Sequence, residues 1–376
     1  MKKLTRYGFL EKITFVLLFL ILFIFGVIES RQFVVPLFLG VLLSYLLYPI
    51  VKFLEDHRFP RILANFIAII IAAFVVIMLV NFLSKQFSVF IKDLPEIKEQ
   101  AAENLQNMRE NVSLSLGIST EQFRDWEEDF TKNLFEASAQ VQTVFSATTS
   151  TLVTIGLMPV FIFCFLYYRN KFHDFIIMMV PKEKENKAEH ILAEINLVTK
   201  KYMTGVVIVV AILSIVHSVT FSIIGIDHPV FFGVTAAFFN FIPYFGTLIG
   251  AILPLSYALL AMDGTNYVVA VLLYFVAIQF IENNILTPNI TGGYVNLNPF
   301  ITILSLIFGS MVWGIAGMLL IIPLMAMIKI CCENISFLQP VGFLLSGRGT
   351  EKHAVPWNKI KNMFSHGKHR NKSRNQ

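Results

Sequence analysis

"FFNFIPYFGTLIGAILPLSYALL", residues 238–260, is apolar enough to lie inside a bilayer, yet Asn240, Pro243, Gly246, Gly250 and Pro254 interrupt it. Pro243 lacks an amide hydrogen and disfavours helix at Ile242, while Gly246 permits a reversal, so the backbone is expected to break within the membrane. Broken backbone at that depth must be shielded by protein or water. A second stretch, "FITILSLIFGSMVWGIAGMLLIIPLMAMI" at 300–328, repeats the pattern with Gly309, Gly314, Gly317 and Pro323. The fold turns on whether these two stretches cross the membrane or double back.

Working outward, the 376 residues are 56% hydrophobic and 15% charged with a mean hydropathy of +0.67, against roughly 45–50% apolar and roughly 25% charged in soluble domains. The fold class is therefore all-α, a polytopic membrane protein. Stretches 13–28, 33–51, 62–83, 151–168 and 204–224 approach the length of a span. Segments 229–262, 265–281 and 300–328 bring the total to about eight, of which 229–262 and 300–328 are broken or re-entrant. If each long segment crosses once there are eight crossings, and 284–298 lie outside. If both are hairpins there are six, and 284–298 lie on the cytoplasmic side.

Charge sets the orientation. Lys and Arg flank the N-terminus, recur at 51–61 and 169–201 and crowd the tail, where eight basic residues from Gly347 to Gln376 face the single acid Glu351. These segments are expected in the cytoplasm, with both termini. On a membrane protein such a tail meets anionic lipid headgroups rather than nucleic acid. Residues 84–150, with eleven acids and six bases, belong outside. The N-terminal span resembles a signal sequence but lacks small residues at the cleavage spacing in "GVIES", so it is read as retained. "ESRQ" at 29–32 reads as a tight external turn.

Four regions follow: three spans in 1–83, a helical extracytoplasmic insert over 84–150, a membrane transport region over 151–346, and the basic tail 347–376. In the insert, Ser119 and Gln122 have the capping-box form, and Phe123, Trp126, Phe130 and Leu134 share a helical face. That face is expected to pack on a neighbouring helix, the bilayer surface or another subunit. Within 181–203, Pro181 starts an amphipathic cytoplasmic helix whose stripe is Ile191, Ile195, Val198 and Tyr202. The three cysteines, Cys164, Cys331 and Cys332, suit reduced packing rather than disulfides. His217 lies beside a stripe of Ser214, Ser218 and Ser222, a pattern of hydrogen-bonded helix packing.

Between His228 and Ile328 the formally charged side chains are Asp263, in a turn, and Glu282. An ionisable group in hydrocarbon costs at least roughly 2.5–3.5 kcal/mol, so Glu282 is either a site or a snorkelling cap. On a helix over 266–283, Gln279, Glu282 and Asn283 share a face. The stretch after it, "ENNILTPNITGGYVNLNP" at 282–299, offers Pro288, Asn289 and Gly292 either as lining of a wet cavity or as surface loop. Asn240, Pro243 and Gly246 complete the candidate substrate or ion site. No zinc-ligand spacing, nucleophile elbow or phosphate-binding loop occurs, so neither an enzyme nor a cofactor is expected.

The motifs "FNFIPYFGTLIGAILP", "QFIENNILTPNITGGYVNLNPFITILSLIFGSMVWGIAGMLLIIPL" and "KKYMTG" resemble the autoinducer-2 exporter family of bacterial membrane proteins over nearly the whole chain. Thr247 and Asn298 stand where many relatives are expected to carry Pro and His. The resemblance implies a homo-oligomer in the bacterial inner membrane that works as a secondary transporter. Its partner would be a small polar solute, autoinducer-2 among the candidates, or a monovalent cation exchanged for protons. Under antiport Glu282→Gln abolishes exchange, whereas export of a neutral solute tolerates it. A non-transporting scaffold acting through insert and tail is the third reading.

Overall fold

The computed structural model describes residues 9–116, 152–243, 246–262, 264–291 and 295–349. The expectations placed on Ser119 to Leu134, Asp263, Gly292 and the tail beyond 349 lie outside the described residues. Regular structure within them is helical apart from one antiparallel bridge, Leu297 to Ser346. The helices are α1 (Phe9–Glu29), α2 (Arg31–Asp56), α3 (Arg61–Leu116), α4 (Leu152–Tyr167), α5 (Arg169–Met178), α6 (Glu185–Ile224), α7 (Pro229–Phe239), α8 (Gly246–Ala261), α9 (Thr265–Ile281), α10 (Thr287–Thr291), α11 (Pro299–Asn334) and α12 (Gln339–Leu345). Five stretches, 31–56, 61–93, 182–224, 265–290 and 299–334, are long and apolar enough to span a bilayer.

The turn expected at 29–32 is instead a bend. Ser30 (φ −79°, ψ 9°) stays near helical dihedrals and accepts the Val34 amide, so one residue cannot reverse the chain. α1 consequently stands off the bundle, and its apolar side chains from Phe15 to Phe25 are exposed all round.

The ends of α2 and α4 and the starts of α3 and α6 meet at a basic end. There Arg61 and Arg169 share Glu55, Arg169 lies 5.2 Å from the Tyr48 ring, and Tyr45 donates to Asn196 at 2.7 Å. The stripe of the expected amphipathic helix continues directly into α6 as one 40-residue helix. Val198 is buried with Ala326 and Ile330, and Ile191 and Ile195 pack against them, so the stripe is covered by protein.

Both broken stretches double back. α7 and α8 form hairpin 1, with the Phe232 ring packed 4.9 Å from that of Tyr257 at its open end. Its arms touch at Gly250, where an added Cβ would lie 2.6 Å from the Ala236 carbonyl. The two arms of α11 form hairpin 2, reversing at Trp313 (φ −132°) and Gly314 (φ +63°, ψ −140°), a conformation that suits Gly. Gly309 and Gly317 face one another across it, so close that a Cβ on Gly317 would collide with the Gly309 carbonyl. In a straight helix those eight positions would be about 12 Å apart.

The hairpins open to opposite ends of the bundle. Hairpin 2 begins and ends at the basic end, where Lys329 Nζ reaches the Val295 carbonyl (3.4 Å) and Asn334 donates to Glu194. Its tip lies far away, with Trp313 Nε1 donating to the Val27 carbonyl at 3.0 Å. Hairpin 1 opens at the other end, where Tyr257 donates to Asp227 (2.9 Å). Its tip reaches inward to the cluster of Tyr202, Ile242, Leu306 and Ile322. Of the two alternatives for these stretches, doubling back is the one the packing adopts, and it puts 295–298, the last described part of the 284–298 stretch, at the basic end.

α3 runs unbroken from its span into the insert and braces the mouth of hairpin 1. Phe90 stacks on Phe231 at 4.9 Å, Asp93 meets His228 at 3.1 Å, and Asn104 donates to the carbonyls of Leu260 and Met262. His217, buried, meets the Tyr274 hydroxyl at 2.6 Å, and the cysteines are free.

Candidate functional site

Glu282 sits where α9 ends and a π-helical turn, Glu282–Leu286, begins. Pro288 explains the turn: it has no amide to offer the Asn284 carbonyl, and its ring needs room one turn back. The ladder widens to i→i+5, with the Thr287 amide donating to the Glu282 carbonyl. Five residues per loop instead of four shift the register, which leaves Asn283, Pro288 and Asn289 exposed while Glu282 stays half-buried. Gln279 is half-buried one turn earlier on α9. The 282–299 stretch is thus not a loop throughout, because 282–291 remain helical.

The tip of hairpin 1 comes to Glu282. Asn240 caps α7, Pro243 lies in the half-buried turn, and α8 restarts at Gly246. A Cβ on Gly246 would run into the Phe239 carbonyl and lie 2.7 Å from Asn240 Oδ1, so the tip closes tightly only around glycine. Thr247, 7% exposed, places Oγ1 3.0 Å from Glu282 Oε2 and 2.9 Å from Asn240 Oδ1. Asn240 Nδ2 is 3.5 Å from the same carboxylate oxygen.

The hydroxyl has one proton for two acceptors. Two arrangements satisfy it. In one, a proton on Glu282 is donated to Thr247, which donates on to Asn240. In the other, Asn240 turns its amide nitrogen toward Thr247, leaving the hydroxyl proton for an ionised Glu282. The triad can therefore hold or release one proton by small rotations, and its three oxygens form a hard donor set that suits a monovalent cation or the hydroxyls of a polar solute.

Of the expected residues, Asn240, Gly246 and Glu282 come together, with Pro243 shaping the turn between them. Asn283, Pro288 and Asn289 point elsewhere, and Gly292 lies outside the described residues. Thr247 was absent from the expected set. Its signal was the departure from proline at that position, since a hydroxyl beside a membrane carboxylate is a donor a proline cannot supply. Thr247→Val, which keeps the volume and removes the hydroxyl, is expected to weaken apparent solute affinity about 10-fold, the low end for a hydrogen bond to a charged group. Concentration dependence of flux in proteoliposomes reads this, with Thr247→Ser retaining wild-type affinity.

Comparison with known proteins agrees with the sequence resemblance. A family model described as "AI-2E family transporter" matches residues 15–337. The AI-2 transport protein TqsA of Escherichia coli is 24% identical over 347 residues, covering 90% of this chain and 97% of the relative. The putative transport protein YrrI of Bacillus subtilis is 24% identical over 310 residues, covering 79% and 84%. A putative transport protein of Borreliella burgdorferi is 22% identical over 341 residues, covering 90% and 91%.

Proposed function

The chain belongs to the AI-2E family of transporters, and from this premise we propose that it is a secondary transporter exporting a small polar solute past Glu282, Thr247 and Asn240. The observation that carries the reading is the meeting of a membrane carboxylate with the tip of a re-entrant hairpin. Broken segments entering from opposite ends suit alternating access, in which one half of the bundle moves against the other around a fixed site. Hydroxyl-rich autoinducer-2 suits the donor and acceptor mixture of Asn240, Thr247 and Glu282, and a relative is named for its transport. The basic end faces the cytoplasm of the bacterial inner membrane, where Lys and Arg accumulate.

A second reading, sodium or lithium exchanged for protons, draws support from the same triad, because three oxygens and one exchangeable proton are what such an exchange uses. The test is reconstitution of purified protein into proteoliposomes with an imposed pH gradient. Protein-dependent flux of labelled autoinducer-2, coupled to dissipation of the gradient, is the expected result. Collapse of the gradient on adding sodium or lithium, without solute flux, would select the antiporter. Neither response from folded protein would overturn both.

A further inference from the structure

A separate feature lies at the basic end and shares no residue with the triad. The turn between α2 and α3 and the junction of α4 with α5 enclose a cleft of about 440 Å³, lined by Pro60, Arg61, Tyr167, Tyr168, Asn170 and Lys171. We propose that this cleft binds the phosphate headgroup of an anionic glycerophospholipid.

Charge favours an anion there. Glu55 is shared by two guanidinium groups, Arg61 (3.5 Å) and Arg169, so one carboxylate leaves a positive excess. Lys171 adds a second uncompensated charge, since its ammonium rests 5.9 Å from the Tyr168 ring and pairs with no acid among the described residues. Arg61 is already aimed, its Nη1 held by the Tyr167 carbonyl at 3.3 Å, which reduces the ordering cost of binding. Asn170 and the tyrosine hydroxyls supply neutral donors for headgroup oxygens.

Position favours a lipid over free phosphate. The apolar run of α3 begins at Ile62 and that of α4 ends at Tyr167, so the cleft sits at the boundary of hydrocarbon and water. Below it, Ile62 and Phe66 are about half exposed one turn apart on α3, and the Phe66 ring packs 5.0 Å from that of Phe163. This gives an acyl chain an apolar track leading down from the cations. Aromatic and basic side chains at headgroup depth are what interfacial anchoring uses. A bound lipid would bridge the α2–α3 turn to the α4–α5 junction.

Native mass spectrometry of the full chain, titrated with phosphatidylglycerol or phosphatidylcholine, tests this. One phosphatidylglycerol is expected to be retained in preference to phosphatidylcholine. Lys171→Gln should weaken retention about 5-fold, and adding Arg61→Gln about 25-fold, at the usual contribution of each basic residue to anionic lipid binding. The tail is present in every variant, so its own lipid binding cancels. Lys171 is exposed, and its variant should unfold at the wild-type temperature. If the double variant does not fold, Lys171→Glu decides, with a loss larger than that of Lys171→Gln. Equal retention of both lipids, indifference to the Lys171 variants, or displacement of the lipid by millimolar inorganic phosphate would overturn the proposal.

Discussion

Glu282→Gln is expected to lower transport in proteoliposomes about 100-fold while leaving the thermal unfolding midpoint within a degree or two of wild type. The carboxylate accepts from Thr247 and faces Asn240, and contacts of this kind to a charged group are worth about 1.5–3 kcal/mol each. Glutamine keeps the shape, so the half-buried environment is not opened, but it turns one carboxylate oxygen into a donor and removes the exchangeable proton. Sequence alone left room for a neutral solute to tolerate this change. The geometry argues otherwise, because the hydroxyl of Thr247 and the amide of Asn240 are already arranged around a carboxyl group. Solute flux and movement of an imposed pH gradient should both be recorded. Wild-type values of both would remove Glu282 from the site, and loss of proton movement alone would assign it to coupling rather than to solute binding.

Gly317→Val is expected to have the largest effect on folding, costing about 3 kcal/mol or more, the upper range for overpacking where backbone cannot yield. A single Cβ at this position already overlaps the Gly309 carbonyl and lies 3.2 Å from the Trp313 Cβ. The arms of α11 would have to separate. That would draw the tip away from Val27, whose carbonyl Trp313 holds, and strip contacts from Leu306 and Ile322. The readout is yield of monodisperse protein and the unfolding midpoint in detergent. Gly26→Val is the matched control, since nothing lies within 4 Å of a Cβ there. A Gly317 variant as stable as the Gly26 variant would mean that the two glycines do not pack face to face.

Much of the architecture was legible in the sequence. Apolar length marked the spans, because backbone in hydrocarbon must satisfy itself within helices, and the clustering of Lys and Arg identified one end. Prolines and glycines located both breaks, since a missing amide hydrogen and a permissive φ act locally and need no partner. The same locality singled out Glu282 as a charge in apolar surroundings. Misreadings arose where the outcome depended on more than local preference. At Ser30 a polar stretch looked like a reversal and is a bend. At 284–291 the helix was expected to have ended, yet the ladder continues through a π turn that absorbs Pro288.

What the sequence determined by itself is that this chain is a helical membrane protein, basic at one end, with two interrupted segments and a carboxylate, Glu282, at the end of an otherwise apolar segment between them. Only the tertiary structure decided that both segments double back, and that they do so from opposite ends. The decisive contacts, Gly309 with Gly317 and Gly250 with Ala236, report which faces meet, and composition carries no record of that. Nor could spacing join Thr247 to Glu282, 35 residues apart on different helices. A hydroxyl becomes part of a site only when packing brings the tip of hairpin 1 to the π turn, and that position is fixed by the sum of many apolar contacts rather than by any motif.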